Sequence, residues 1–97
     1  MILVDLLEIK GKKIIALKVE LPKAPLLLML YKDLIIGCGY INPEAMEKFE
    51  NSACIVRGVR SFEDMLNAEI VEITSKAREL GAEKGMKVFE LLEKLEF

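Results

Sequence analysis

Histidine, tryptophan and glutamine are absent from this chain of 97 residues, and it holds only two cysteines and three prolines. Without histidine, the commonest partner for a nucleophilic cysteine is missing. Cys38 and Cys54 alone make no metal site of familiar spacing, so neither a metal nor a cofactor is implied. Long apolar runs are missing too. Lys32-Asp33 separates Ala24–Tyr31 from Leu34–Ile41, and neither stretch approaches the roughly 20 residues of a membrane span. Asp5 stands in MILVDLLEIK where an export signal carries a basic lead-in, so no export signal, a cytoplasmic location and reduced thiols are expected. No block of one charge stands out. Residues 1–60 carry nine basic and seven acidic side chains, and residues 61–97 five and nine, for a net −2. Such a balance offers nothing to a phosphate backbone, so no nucleic-acid partner is expected. Glutamate, lysine, isoleucine and leucine abound instead, a bias that leans toward a thermophile.

At 53% apolar and a mean hydropathy of +0.31, the chain has more apolar side chains than a small domain easily hides. Self-association, most simply a homodimer, is the expected remedy. Ile2–Lys10 and Lys13–Leu21 read as strands of a hairpin, with Gly11-Lys12 as a type II′ turn. In the second strand Ile15, Leu17, Val19 and Leu21 alternate with Ala16, Lys18 and Glu20, so one face is buried and one wet. Leu26–Tyr31 and Leu34–Cys38 are apolar on both faces, which predicts cover on both sides or a place at a subunit interface.

Asn42-Pro43 starts the first helix: asparagine is a preferred N-cap, and proline loses nothing at the first helical position. Ala53–Val56 is a further apolar strand. Ser61 caps the next helix, with Asp64 three residues on in a capping-box arrangement. Glu69–Ile73 fits a short strand or a helix start equally well. Thr74–Leu80 reads as helix, ended by Gly81, and a last helix buries Val88, Leu91, Leu92 and Leu95 with Glu90 and Lys94 paired on its wet side. The class is therefore α+β. One domain spans residues 1–97, with a mostly antiparallel or mixed sheet from N-terminal hairpins, short helices after it, and the C-terminal helix packed on the sheet.

Three stretches carry candidate chemistry. Gly37-Cys38-Gly39 before a helix has the look of a dinucleotide loop. Asn42 occupies the third small-residue position, however, Pro43 deletes an amide donor, and the strand follows hairpins rather than opening a βαβ unit. Cys38 reads either as packing or as a thiolate or ligand contact; Cys54, mid-strand, reads as core. Arg57-Gly58-Val59-Arg60-Ser61 places two of the three arginines around a glycine just before a capped helix, a pattern suited to phosphate or carboxylate. The alternative for Arg57 and Arg60 is pairing with acids nearby.

Several of these residues also resemble a known family. Cys38-Gly39-Tyr40, Gly58-Val59-Arg60-Ser61 with Asp64-Met65-Leu66, then Thr74, Ala77, Leu80-Gly81, Gly85-Met86 and Glu90 resemble the YunC-like family of small proteins of unknown function. Ser61, Met65, Ala82 and Leu91 depart mildly from its usual pattern. The resemblance implies a compact α+β domain and brings no activity, substrate or cofactor. The residues lead to three readings. The first is a homo-oligomeric module binding a small anionic ligand, with Arg57, Gly58, Arg60, Ser61, Cys38 and Gly39 as the site. The second is a cysteine-dependent enzyme centred on Cys38, and the third a structural or partner-binding subunit.

Overall fold

Each strand of the sheet pairs with the next strand in the chain. The computed structural model describes residues 1–96. Its six strands are β1 (Ile2–Ile9), β2 (Lys12–Val19), β3 (Leu26–Tyr31), β4 (Leu34–Gly37), β5 (Ser52–Ile55) and β6 (Glu72–Ile73), in the spatial order 1-2-3-4-5-6. Four helices complete the α+β domain: α1 (Pro43–Lys48), α2 (Phe62–Asn67), α3 (Ser75–Glu79) and α4 (Val88–Lys94). All neighbouring strands run antiparallel except β4 and β5, which are parallel. The sheet is mixed, as expected.

Two expectations about turns and connections are corrected. Ile9 pairs with Lys12, so the hairpin turns on Lys10-Gly11, one residue earlier than the sequence suggests. Both turn residues have positive φ (51° and 80°), the type I′ geometry that matches the strand twist better than a wide bend. Second, β4 does open a βαβ unit: the chain leaves β4, forms α1 and returns as the parallel strand β5. Hairpins before β4 did not prevent a crossover after it. Glu69–Ile73 resolves as extended chain, with β6 at its end and a bridge from Glu69 to Lys87.

The core lies on one face of the sheet. Ile14, Ala16, Leu27, Met29, Leu34, Ile36 and Cys54 point to it from the strands, joined by Val56 just past β5. In β2 this reverses the expected face: Ile14 and Ala16 are buried, whereas Ile15 is exposed and Leu17 and Val19 are half-buried, because the helices pack on the other side of the strand. Met65 of α2, Ala77 of α3 and Val88, Leu91 and Leu92 of α4 cover them. Complete burial of one leucine side chain is worth about 1.5–3 kcal/mol, so Leu91 and Leu92 alone anchor α4 despite its two turns. Ala53 and Ile55 are equally buried but lie on the opposite face, where α1 packs over β5. The rest of that face, over β1–β3, has no layer above it among the described residues.

Short helices need their ends satisfied. Asn42 Oδ1 accepts from the amides of Glu44 (2.8 Å) and Ala45 (3.3 Å), and Ser61 Oγ accepts from Asp64 N (3.0 Å). The second half of the expected capping box is shifted, because Asp64 Oδ2 accepts from the amide of Arg60. Glu90 is not the partner of Lys94; its carboxylate accepts from Lys87 N (3.0 Å) and caps α4, which satisfies an orphan donor inside the first turn. After α3, Gly81 N donates to Arg78 O and Ala82 N to Ala77 O, a Schellman ending. Thr74 ties three segments. Its hydroxyl donates to Asn51 O (2.6 Å) and accepts from Ala53 N (2.9 Å) and Ala77 N (3.3 Å). No helix among the described residues is long and apolar enough to cross a membrane.

Candidate functional site

The parallel pair β4–β5 creates the cleft. After β4 the chain turns to the α1 side of the sheet; after β5 it turns to the side covered by α2. The two loops part at the carboxyl ends of adjacent parallel strands, and ligands of open sheets sit in such crevices. The cleft here has a volume of about 320 Å³, at the small end of the range for ligand pockets.

One wall is Cys38-Gly39-Tyr40 from the loop after β4, and the facing wall is Gly58-Val59-Arg60 from the loop after β5. Ala24 and Pro25, just before β3, close the third side. The loops are held by backbone bonds from Val56 N to Gly37 O (2.9 Å) and from Ile41 N to Cys38 O (3.0 Å). Tyr40 Oη donates to Ala24 O at 3.3 Å, a link across the cleft between two of its walls. Gly58 has φ of 73°, a left-handed backbone that lets the chain reverse between the two arginines.

Cys38 is nearly buried, and its Sγ accepts from Leu27 N at 3.3 Å. The thiol thus extends the β3–β4 ladder, where Cys38 N also donates to Leu27 O. Cys54 lies deep in the core with its thiol pushed up to about 12 by burial, the position of packing rather than chemistry. Neither cysteine is in a disulfide. Arg60 is exposed on the rim, and among the described residues neither Arg57 nor Arg60 makes an ion pair. Pairing of these arginines with nearby acids is therefore not what the fold uses them for. No group of three ligating side chains gathers to hold a metal ion among the described residues.

Of the residues singled out in the sequence, Cys38, Gly39, Gly58 and Arg60 meet in this one cleft although they come from separate stretches. Arg57 lies beside it, its Cγ 3.8 Å from where a Cβ on Gly39 would be. Ser61 does not line it; its hydroxyl is occupied in capping α2. Tyr40, Val59, Ala24 and Pro25 are cleft residues the sequence did not single out as a site. Adjacency to Cys38-Gly39 was a usable signal for Tyr40. For Ala24 and Pro25 there was none, because they arrive through the pairing of β3 with β4.

Three comparisons with known proteins bear on this architecture. A family profile described as a domain of unknown function (DUF1805) matches residues 37–95, which contain both long walls of the cleft. A crystal structure of a protein of unknown function, TA1206 from Thermoplasma acidophilum, is similar over 99% of this chain and 94% of its own. The two share 34% sequence identity and superpose with a TM-score of 0.93. Among curated proteins none matches.

Proposed function

The chain belongs to the DUF1805 family, the family that covers YunC-like proteins, and from the cleft whose two long walls lie in the matched residues we propose that it is a binding module for a small anionic ligand. The observation that carries this reading is the convergence of Cys38-Gly39-Tyr40 and Gly58-Val59-Arg60 on one cleft with an unpaired arginine at its rim. The Arg60 guanidinium supplies a planar fork for a carboxylate or phosphate. Tyr40 Oη and the backbone around Gly39 and Gly58 offer further polar contacts, while Pro25 and Val59 give an apolar flank. Two buried, unpaired thiols suit a reducing compartment, and a cytoplasmic location is part of the reading.

A thermal-shift screen against carboxylates and phosphorylated metabolites tests it. A ligand at a hundredfold excess over Kd adds about 2.7 kcal/mol, or roughly 10–20 °C in Tm for a domain of this size. Arg60→Ala abolishes the shift, and Arg60→Lys reduces it although charge is kept. A ligand that shifts Arg60→Ala as far as the parent chain refutes the assignment.

A cysteine-dependent enzyme is the second reading, favoured by one observation: Cys38 lines the same cleft as Arg60. It would work without the commonest base, since the chain has no histidine.

A further inference from the structure

The sheet face opposite the core is left with aliphatic side chains on three strands and, among the described residues, nothing over them. Register defines it row by row. Leu6, Ile15, Leu30 and Ile35 lie side by side across β1–β4; Val4, Leu17 and Leu28 form the next row, and Ile2, Val19 and Leu26 the last. Ile2, Val4 and Leu6 are 67%, 61% and 58% exposed, and Ile15 is 47% exposed. Only at β4–β5 does α1 cover this face.

We infer that a second copy of the chain covers this face, sheet against sheet, in a two-fold homodimer. Size is the first argument. The rows expose on the order of 600 Å² of apolar surface, the upper end of the largest patch on a typical monomer and close to the roughly 800 Å² that each partner gives to a stable complex. Composition is the second. The rows hold isoleucine, valine and leucine with no aromatic residue and no arginine, which is the make-up of a core divided between two subunits rather than of a transient heteromeric surface.

Shape is the third argument. Facing sheets pack about 10 Å apart, and a helix with its side chains is about 10–12 Å thick. With a two-fold axis over the β2–β3 region, α1 of each copy fills the layer beside β1 of the other. The bare strands and the raised helix are then complementary halves of one surface. A lipid surface is the poorer occupant. The chain carries net charge −2, and the charged side chains at the end of the face, Glu8 and Lys13, lie opposite one another and cancel.

The expected self-association therefore acquires two further strands. The sequence pointed to β3 and β4; Leu26, Leu28 and Leu30 of β3 remain in the proposed interface, and β1 and β2 add its most exposed residues.

Light scattering on the intact chain across micromolar concentrations tests this. Twice the 11.0 kDa monomer mass is expected for the parent chain. Val4→Glu and Ile15→Glu change exposed positions on the proposed face and are expected to give folded monomers, with at least a tenfold weaker association. Leu3→Glu lies on the same edge strand but points to the other face, and it is expected to remain a dimer. Dilution of methyl-labelled parent protein gives a check that needs no variant: Ile15 and Leu6 methyl signals shift, and those of Leu91 do not. A parent chain that is monomeric at tens of micromolar overturns the proposal, and so does one that binds vesicles as a monomer. Equal loss of association in Leu3→Glu overturns it in favour of pairing along the β1 edge. A dimer undisturbed by Val4→Glu and Ile15→Glu, with methyl signals unmoved by dilution, also overturns it.

Discussion

Ile41 rests directly on Gly37. A Cβ on Gly37 would lie 2.5 Å from Ile41 Cγ1 and 2.9 Å from its Cβ, so the glycine marks a close approach of the β4–α1 turn to its own strand. Because one of the atoms in the way is a Cβ, the clash is not relieved by a rotamer change. Gly37→Ala is expected to destabilise the domain by about 1–3 kcal/mol through overpacking, measured by urea denaturation. Ile41→Ala in the same chain restores part of that loss, and the double-mutant cycle gives a coupling of about 0.5–3 kcal/mol. Additive effects would show that the two residues do not share this space.

Thr74 gives the second prediction. Its buried hydroxyl satisfies Asn51 O, Ala53 N and Ala77 N together, so Thr74→Val keeps the shape and strands three polar groups. The expected loss is about 2–4 kcal/mol in denaturant unfolding, since each stranded group costs about 1–3 kcal/mol and partial rehydration recovers some of it. Thr74→Ser retains the hydroxyl and loses less than half as much. Equal losses would assign the role to the methyl group instead.

Cys54 makes stability depend on alkaline pH. Burial raises its thiol from 9.0 to about 12, so the folded state binds the proton more tightly than the unfolded chain. Its contribution is fully present below pH 9 and is lost as pH rises from 9 toward 12. Cys54→Ala removes this dependence. The stability difference between parent and variant therefore moves in the variant's favour over that window, by a few kcal/mol at most. A difference that stays flat from pH 8 to 11 contradicts the assignment.

Cys38 and Cys54 should separate in alkylation. With iodoacetamide at neutral pH, Cys54 stays silent in the native protein, while Cys38 at the cleft labels slowly, below the rate of a free thiol, because its Sγ is nearly buried and held by the Leu27 amide. Any anion found by screening protects Cys38 and leaves Cys54 unchanged. Labelling of Cys38 faster than a free thiol would favour the enzyme reading.

Much of the fold was legible because local chemistry and tertiary need agree. Alternation in Lys13–Leu21 gave the strand β2 but not which face is buried, Asn42 and Ser61 gave two helix starts, and Gly81 gave a stop. Failures lie where the outcome depends on partners distant in sequence. The Lys10-Gly11 turn needs a lysine with positive φ, which no propensity encodes and which the eight-residue register of β1 with β2 enforces. Parallel pairing of β4 with β5 is set by α1 and by burial of Ala53 and Ile55, so the facing of Cys38 and Arg60 across one cleft was not readable from either motif alone. Ser61 and Asp64 were visible as a pair, and their side chains serve the helix start itself, Ser61 Oγ accepting from Asp64 N and Asp64 Oδ2 from Arg60 N.

Because spatial order equals chain order in this sheet, folding has little distance to travel. From β1 to β4 each strand meets the strand made just before it, closing only short turns, and loop-closure entropy is correspondingly small. Two longer closures follow: residues 38–51, where β5 must find β4 in parallel after α1 forms, and residues 56–71, which carry α2 before β6 joins β5. Short hairpin closures favour quick formation of β1–β4, with the parallel crossover as the slow step. Substitutions in the N-terminal hairpins and at Gly37, Ile41 or Ala53 should then alter mainly the folding rate, and those in elements added after the crossover the unfolding rate, so the loops that frame the cleft would also set how quickly the chain folds.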